Sequence, residues 1–121
     1  MEGIGSERLV LVVEDDADIL STMADLLALR GYSVSLARNG REALERLSTQ
    51  RPCIILLDLM MPVMNGEQFL EHRRRDRALA QIPVVVLSAA ADRLSHLDDV
   101  SEIFLKPVDI GALLNAIGKF C

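Results

Sequence analysis

The sequence predicts an α/β fold in which helices cover both faces of a parallel β-sheet. Five short apolar segments alternate along the chain with segments of helical periodicity, and this alternation is typical of parallel strands joined by right-handed crossovers. Half of the residues are hydrophobic but 3% are aromatic, which predicts the aliphatic core that buried parallel strands require. The length of 121 residues predicts one domain over 1–121.

The five predicted strands differ in how many faces the pattern expects to be buried. The first, third and fourth are uniformly apolar, which indicates strands covered on both faces. The second alternates apolar with polar residues, as a half-exposed edge strand does, and the fifth is short. In chain order the predicted strands are 9–13, 32–36, 54–57, 84–87 and 103–105.

The helices between and after these strands are predicted from their capping residues. Asn39 followed by Glu42 resembles a capping box, and Gly31 supplies a C-terminal stop for the first helix. The predicted helix starts are Asp16, Asn39, about Glu67 and near Asp109.

Composition and charge exclude several classes of protein. The net charge of −5 and the sequence pI of about 4.9 argue against direct binding of nucleic acid. The chain starts without a basic segment followed by an apolar one, and its apolar runs are too short for a membrane span, so we expect a cytoplasmic protein. Its two cysteines, Cys53 and Cys121, are expected to form neither a disulfide framework nor a metal site, and Cys53 is expected to be a small core residue.

Reactive polar residues follow four of the apolar strands. The first strand runs into Glu14, Asp15 and Asp16, the third into Asp58, the fourth into Ser88 and the fifth into Lys106. In an open parallel sheet the carboxyl ends of the strands lie along one edge, where ligands bind. Each residue alone has a structural explanation, such as a helix cap for Asp16 or Ser88 and a solvated side chain for Lys106. Their joint occurrence at strand ends favours a functional site.

The chemistry of these residues favours phosphoryl transfer assisted by a metal ion. Two carboxylates about 4 Å apart repel by roughly 4 kcal/mol at an effective dielectric constant near 20, so a cluster of acids must take up protons or bind a cation. Mg²⁺ prefers such oxygen ligands. An aspartate beside it can accept a phosphoryl group, and a lysine can neutralise the transferred charge.

The motifs resemble those of response-regulator receiver domains in two-component signalling. The resemblance rests on LVVEDD at 11–16, LDLMMP at 57–62 with Gly66, VLSA at 86–89 and KP at 106–107, and it covers about 8–120. It implies a flavodoxin-like doubly wound (βα)5 sandwich with a five-stranded parallel sheet of strand order 2-1-3-4-5. It also implies a cis peptide bond between Lys106 and Pro107.

The resemblance also implies a role for each site residue. Asp58 would be the phosphoacceptor, contacted in its phosphorylated form by Ser88 and Lys106. Mg²⁺ would be bound by Asp15, by Asp58, by Glu14 through water and by the backbone carbonyl of Met60. The donor would be a histidine kinase or histidine phosphotransfer protein, and a downstream effector protein or domain would recognise a monomer or a phosphorylation-dependent dimer. The chain would be a signalling domain without membrane contact, and not an enzyme that acts on a metabolite.

Two departures from the family pattern concern its conformational switch. Ser88 and Lys106 are 18 positions apart, fewer than is usual, which predicts a shortened and poorly ordered helix region over 89–100. The usual aromatic switch position holds Ile103, while Phe104 beside it is expected to face the core. Because isoleucine cannot form hydrogen bonds, we expect switching to depend mainly on Ser88 and on backbone movement.

Other features have simpler interpretations. Arg73, Arg74 and Arg75 are expected to form a solvated face, and His72 and His96 are expected at the surface. The methionines near Asp58 could shield the phosphoryl group or contact a partner; they are Met60, Met61 and Met64.

Three other functions compete with the receiver hypothesis. A flavodoxin-like cofactor carrier needs a phosphate cradle after the first strand, where this chain has three acids. A haloacid-dehalogenase-type phosphatase would carry its Asp-x-Asp motif after the first strand, within a longer chain. A degenerate receiver acting as a scaffold would not need the complete set of acids, serine and lysine. The chain could be a stand-alone receiver or a fragment of a longer protein.

Overall fold

The computed structural model describes residues 8–59, 61, 63–89 and 100–121. In it, β1 (Leu9–Val13), β2 (Ser33–Ala37), β3 (Ile54–Asp58), β4 (Val84–Ser88) and β5 (Glu102–Leu105) form one parallel sheet with the order β2-β1-β3-β4-β5. The predicted fold class and strand order are therefore confirmed. The helices are α1 (Ala17–Leu29), α2 (Gly40–Leu47), α3 (Gly66–Arg75), α4 (Arg77–Ala80) and α5 (Ile110–Phe120).

The sheet separates two hydrophobic clusters, because successive strand residues point to opposite faces. One face packs against α2, α3 and α4 through side chains that include Leu57, Val86 and Phe69. The other packs against α1 and α5 through side chains that include Leu56 and Leu87. Both clusters are mainly aliphatic, as the composition predicts. Strand β2 lies at the edge of the sheet and alternates in burial, as predicted from its polar residues.

Capping residues fix the starts of the helices. Asp16 accepts hydrogen bonds from the backbone N–H groups of Asp18 and Ile19, and Asp109 accepts one from Ala112, so both predicted starts are confirmed. Asn39 accepts from the Glu42 N–H, but the Glu42 carboxylate accepts from Arg38 rather than from Asn39. The predicted capping box is therefore only half formed there.

A reciprocal capping box is instead found at the start of α3. The side chain of Asn65 accepts from the backbone of Gln68, and the side chain of Gln68 accepts from the backbone of Asn65. This cap moves the start of the helix to Gly66, one residue before the predicted Glu67. Gly31 follows α1 with φ 87°, the left-handed conformation that glycine adopts at helix ends.

The prediction for the arginine run is wrong for one residue. Arg73 is 4% exposed, and its guanidinium donates hydrogen bonds to the backbone carbonyls of Ala80 (2.9 Å) and Ile82 (2.8 Å). Because a guanidinium carries five donors, this one side chain satisfies carbonyls in the turn after α4. Arg74 and Arg75 are exposed and form ion pairs with Glu71, as expected of a solvated face.

The expectation that the two cysteines form no disulfide framework is also wrong, because they pair with each other. Cys53 and Cys121 form a disulfide bond, with their Cα atoms 5.6 Å apart. Cys53 lies just before β3 and Cys121 just after α5, and both are half-buried beside the cluster on the α1 and α5 face. The apolar neighbours of Cys53 in the sequence indicate that it is partly buried. No local pattern in the sequence, however, indicates its pairing with a cysteine 68 positions away.

Candidate functional site

The register of the sheet places the predicted acids side by side. Val13 of β1 pairs with Leu57 of β3, so Glu14 and Asp58 are the next residues along these neighbouring strands. Asp58 pairs in turn with Leu87 of β4. Glu14 and Asp58 are 3% and 4% exposed, respectively, although both carry ionisable groups. Two acids are therefore held together at the carboxyl edge of the sheet, away from most of the solvent.

Lys106 bridges these two acids. Its Nζ atom lies 3.6 Å from Glu14 Oε1 and 3.6 Å from Asp58 Oδ2. The backbone N–H of Lys106 donates to the carbonyl of Ser88 at 2.8 Å. This hydrogen bond extends the pairing of β4 with β5 and fixes the position of Lys106 at the end of β5. The peptide bond to Pro107 is cis, as the resemblance implied. The lysine side chain is 30% exposed, so it lies at the rim of the site.

A third acid completes a cluster suited to a divalent cation. Glu14, Asp15 and Asp58 each offer one carboxylate oxygen within 4.8 Å of the other two. Among the described residues, no other group of three acidic, histidine or cysteine side chains brings its possible ligand atoms this close together. Asp15 is exposed and approaches from the solvent side, whereas the other two are buried. Three converging oxygen ligands, two of them beneath the third, fit a hard ion such as Mg²⁺.

Glu14 is only partly compensated by hydrogen bonds from the part of the chain that the structure describes. Its Oε2 atom accepts a hydrogen bond from the backbone N–H of Asp16 at 3.1 Å, but no donor within the described ranges forms a hydrogen bond with its buried Oε1. Burial raises the pKa of Glu14 from 4.5 to about 7; the Asp58 charge adds to the rise, while the Asp16 N–H and Lys106 oppose it. A bound cation would supply the missing counter-charge. The donor set therefore fits a divalent ion.

Ser88 lies at the adjoining strand end. It is fully buried and follows Leu87, the residue that pairs with Asp58. Strand periodicity gives Ser88 the same face as Val86, which packs in the cluster against α2 and α3. Ser88 therefore lies one residue beyond the partner of Asp58 on β4, on the side of the sheet that packs against α2 and α3.

The two residues at the predicted switch position pack on opposite faces of β5. Ile103 pairs with Val86 and packs against the cluster on the α2 and α3 face, whereas Phe104 pairs with Leu87 and packs against the other cluster. The expected core contact of Phe104 is confirmed. Met60, Pro62 and the proposed shortened helix with His96 lie outside the described residues.

The loop after Asp58 depends on Gly66. A Cβ atom at this position would come within 2.7 Å of Leu59 Cα and 2.9 Å of the Asp58 carbonyl oxygen, and its N–H donates to the Leu59 carbonyl at 3.0 Å. The glycine therefore lets α3 begin directly against the acid-bearing strand end. Met61 and Met64 pack against the hydrophobic cluster beneath this loop, and His72 is exposed.

A family model described as the response regulator receiver domain matches residues 10–118. Response regulator MprA of Mycolicibacterium vanbaalenii is 37% identical over 110 residues, which are 87% of this chain and 46% of that relative. The chain thus spans about half the length of the curated relative.

Solved receiver structures share the fold. A response regulator receiver protein from Pseudomonas putida has a TM-score of 0.85 at 30% identity, with 93% of this chain and 97% of that chain covered. The receiver domain of sensor histidine kinase PA1611 from Pseudomonas aeruginosa PAO1, solved with a magnesium ion in its active-site cleft, has a TM-score of 0.84 at 25% identity, covering 93% and 96%.

The chain belongs to the response regulator receiver domain family. Its sheet order and the acidic edge of the sheet agree with that membership, and its function is that of a receiver in two-component signalling, where phosphorylation switches the interactions of the domain. Of the described helices, none combines the length and apolar character needed to cross a membrane.

Proposed function

We propose that Asp58 is the residue that accepts the phosphoryl group and that Mg²⁺ binds beside it. The single observation that carries this proposal is the convergence of three carboxylates within 4.8 Å, with Lys106 Nζ 3.6 Å from Asp58. Glu14, Asp15 and Asp58 would hold the ion, together with the Met60 carbonyl implied by the family. When bound, the ion supplies positive charge to the phosphoryl oxygens. The magnesium ion in the PA1611 receiver supports this assignment.

The other residues of the site have complementary roles in this proposal. An Asp58 carboxylate oxygen attacks the phosphorus of a phosphohistidine, and the bond between phosphorus and the histidine nitrogen breaks. Lys106 is already within ion-pair distance of Asp58, so it can neutralise charge on the new acyl phosphate. Ser88 would donate its hydroxyl proton to a phosphoryl oxygen, and Ile103 and Phe104 would follow its movement, since all three lie on paired strands.

The partners and setting follow from this assignment. The donor would be a histidine kinase or a histidine phosphotransfer protein, and the phosphorylated surface would bind an effector protein or domain as a monomer or a dimer. We place the single domain over 1–121, in the cytoplasm. The chain would act on its own aspartate and not on a metabolite, and its net charge of −5 argues against direct nucleic-acid binding.

A phosphorylation assay tests the assignment of Asp58. The wild type, incubated with acetyl phosphate and Mg²⁺, should gain one phosphoryl group in intact mass measurements, and Asp58→Asn should gain none. The matched control is Asp25→Asn, which changes an exposed acid on α1 and should be phosphorylated like the wild type. Asp15→Ala should require much more Mg²⁺, because it removes one carboxylate of the cluster. Lack of modification in the wild type would instead support a scaffold function.

A further inference from the structure

The disulfide bond lies at the edge of the sheet opposite to the acidic site. Cys53 precedes β3, whereas Asp58 is the last residue of that strand. A five-residue strand spans about 17 Å, so the sulfur atoms are remote from the carboxylates. The chain has two cysteines and both are in this bond. Neither the proposed phosphoryl transfer nor the metal cluster uses it.

We propose that Cys53 and Cys121 are a reversible redox modification site that controls the last turn of α5. The two side chains are half-buried, so a small thiol or disulfide reagent has a path to the bond. Disulfides in compartments that keep thiols reduced are usually transient and redox-sensing, and the proposed cytoplasmic location is such a compartment. The site would therefore exchange with the glutathione pool and report its redox state.

The contacts of α5 explain why its last turn depends on this bond. The helix buries Leu113, Ala116 and Ile117, so its fully buried side chains end at Ile117. The three residues that follow are exposed, and the Cβ position of Gly118 faces open space. Glycine also weakens a helix by its backbone entropy. Besides the disulfide, Cys121 is held by its backbone N–H, which donates to the Ile117 carbonyl at 3.0 Å, and by partial burial against the cluster on the α1 and α5 face.

The exchange chemistry balances with glutathione disulfide as the oxidant. One cysteine thiolate attacks glutathione disulfide, which forms a mixed disulfide and releases one glutathione thiolate. The second cysteine thiolate then attacks the protein sulfur of the mixed disulfide and releases the second glutathione. The two cysteines together lose two protons and two electrons, and the glutathione disulfide gains both. Reduced glutathione reverses the two steps.

Equilibration of the full chain in glutathione buffers of different redox ratio tests the proposal. Alkylation followed by intact mass measurement should show two free thiols in reducing buffer and none in oxidising buffer, with monomeric protein in both. Amide hydrogen exchange of residues 118–121 should accelerate at least several-fold on reduction. In Cys53→Ser and Cys121→Ser this segment should exchange fast in both buffers. The thermal midpoint of the wild type should fall by on the order of 10 °C on reduction.

Three results would overturn the proposal. The thiols could remain fully alkylatable in oxidising buffer, the disulfide could resist reduced glutathione, or exchange at 118–121 could be the same in both redox states. Phosphorylation provides an independent control: Asp58→Asn should retain the whole redox response. Cys53→Ser should accept a phosphoryl group from acetyl phosphate like the wild type. A failure of the redox proposal is therefore separable from a failure of the Asp58 assignment.

Discussion

The raised pKa of Glu14 predicts that stability without metal decreases as the pH rises. The folded state holds the Glu14 proton more tightly than the unfolded state, because burial raises its pKa from 4.5 to about 7. The resulting stability is fully present below pH 4.5 and is lost as the pH rises through about 7. At about 1.4 kcal/mol for each pH unit, this rise corresponds to about 3 kcal/mol. The Glu14 side chain is 4% exposed, so solvent screening reduces this value little.

Urea unfolding of wild type and Glu14→Gln measures this contribution. Glutamine has nearly the same size and does not titrate, so the difference between the two proteins isolates Glu14 from the other ionisable groups. In EDTA, the free energy of unfolding of the wild type should fall relative to Glu14→Gln by about 2–3 kcal/mol between about pH 5 and about pH 8. At the higher pH, added Mg²⁺ should stabilise the wild type more than the variant, since the cation compensates the ionised carboxylate.

Parallel pH profiles for the two proteins in EDTA would refute this reasoning. Such a result would mean that Glu14 has similar proton affinity in the folded and unfolded states. The buried Oε1 would then have to be compensated by a partner other than a proton or a metal ion, such as Lys106. The Mg²⁺ comparison at high pH is a second check, because a metal bound elsewhere would stabilise both proteins equally.

Three further substitutions, one of them with a matched control, test individual contacts by urea unfolding. Gly66→Ala should lower the free energy of unfolding by about 1–3 kcal/mol, because its Cβ would collide with the backbone of Leu59 and Asp58; unchanged stability would contradict the close approach. Arg73→Met should cost about 1–3 kcal/mol, because the carbonyls of Ala80 and of the buried Ile82 lose their donor. Arg75→Met at an exposed ion pair is the control and should change stability by less than about 0.5 kcal/mol. Val63→Gly should raise the free energy of unfolding by up to about 1 kcal/mol, because Val63 is 71% exposed and has φ 67°. This left-handed conformation costs a residue with a side chain about 1–2 kcal/mol. A loss of stability would show that the Val63 side chain makes a necessary contact.

Hydrophobic periodicity predicts strands well where a local pattern of apolar residues is compatible with one kind of strand. The uniformly apolar runs before Asp58 and Ser88 became strands buried on both faces, and the alternating run became the edge strand. Boundaries were less accurate where a neighbouring side chain competes for the backbone. The start of α3 shifted to Gly66 because Asn65 and Gln68 cap each other.

The arginine run shows where composition misleads. Three consecutive arginines near a helix end indicate a solvated face, and two of them are exposed. Arg73, the first of the run, points inward because adjacent residues of a helix face different directions. The carbonyls of Ala80 and Ile82 also lie within hydrogen-bond distance of its guanidinium. That reach depends on α4, the short helix that the pattern did not indicate.

The sequence alone determines which residues meet at the carboxyl edge of the sheet. Apolar runs in the sequence predict the buried strands, and parallel pairing brings the residues after those runs to one edge of the sheet. The tertiary structure alone decides the pairing of Cys53 with Cys121, the burial of Arg73 and the proton affinity of Glu14. These properties depend on distances between chain-remote atoms and on the water removed around them, and local periodicity specifies neither.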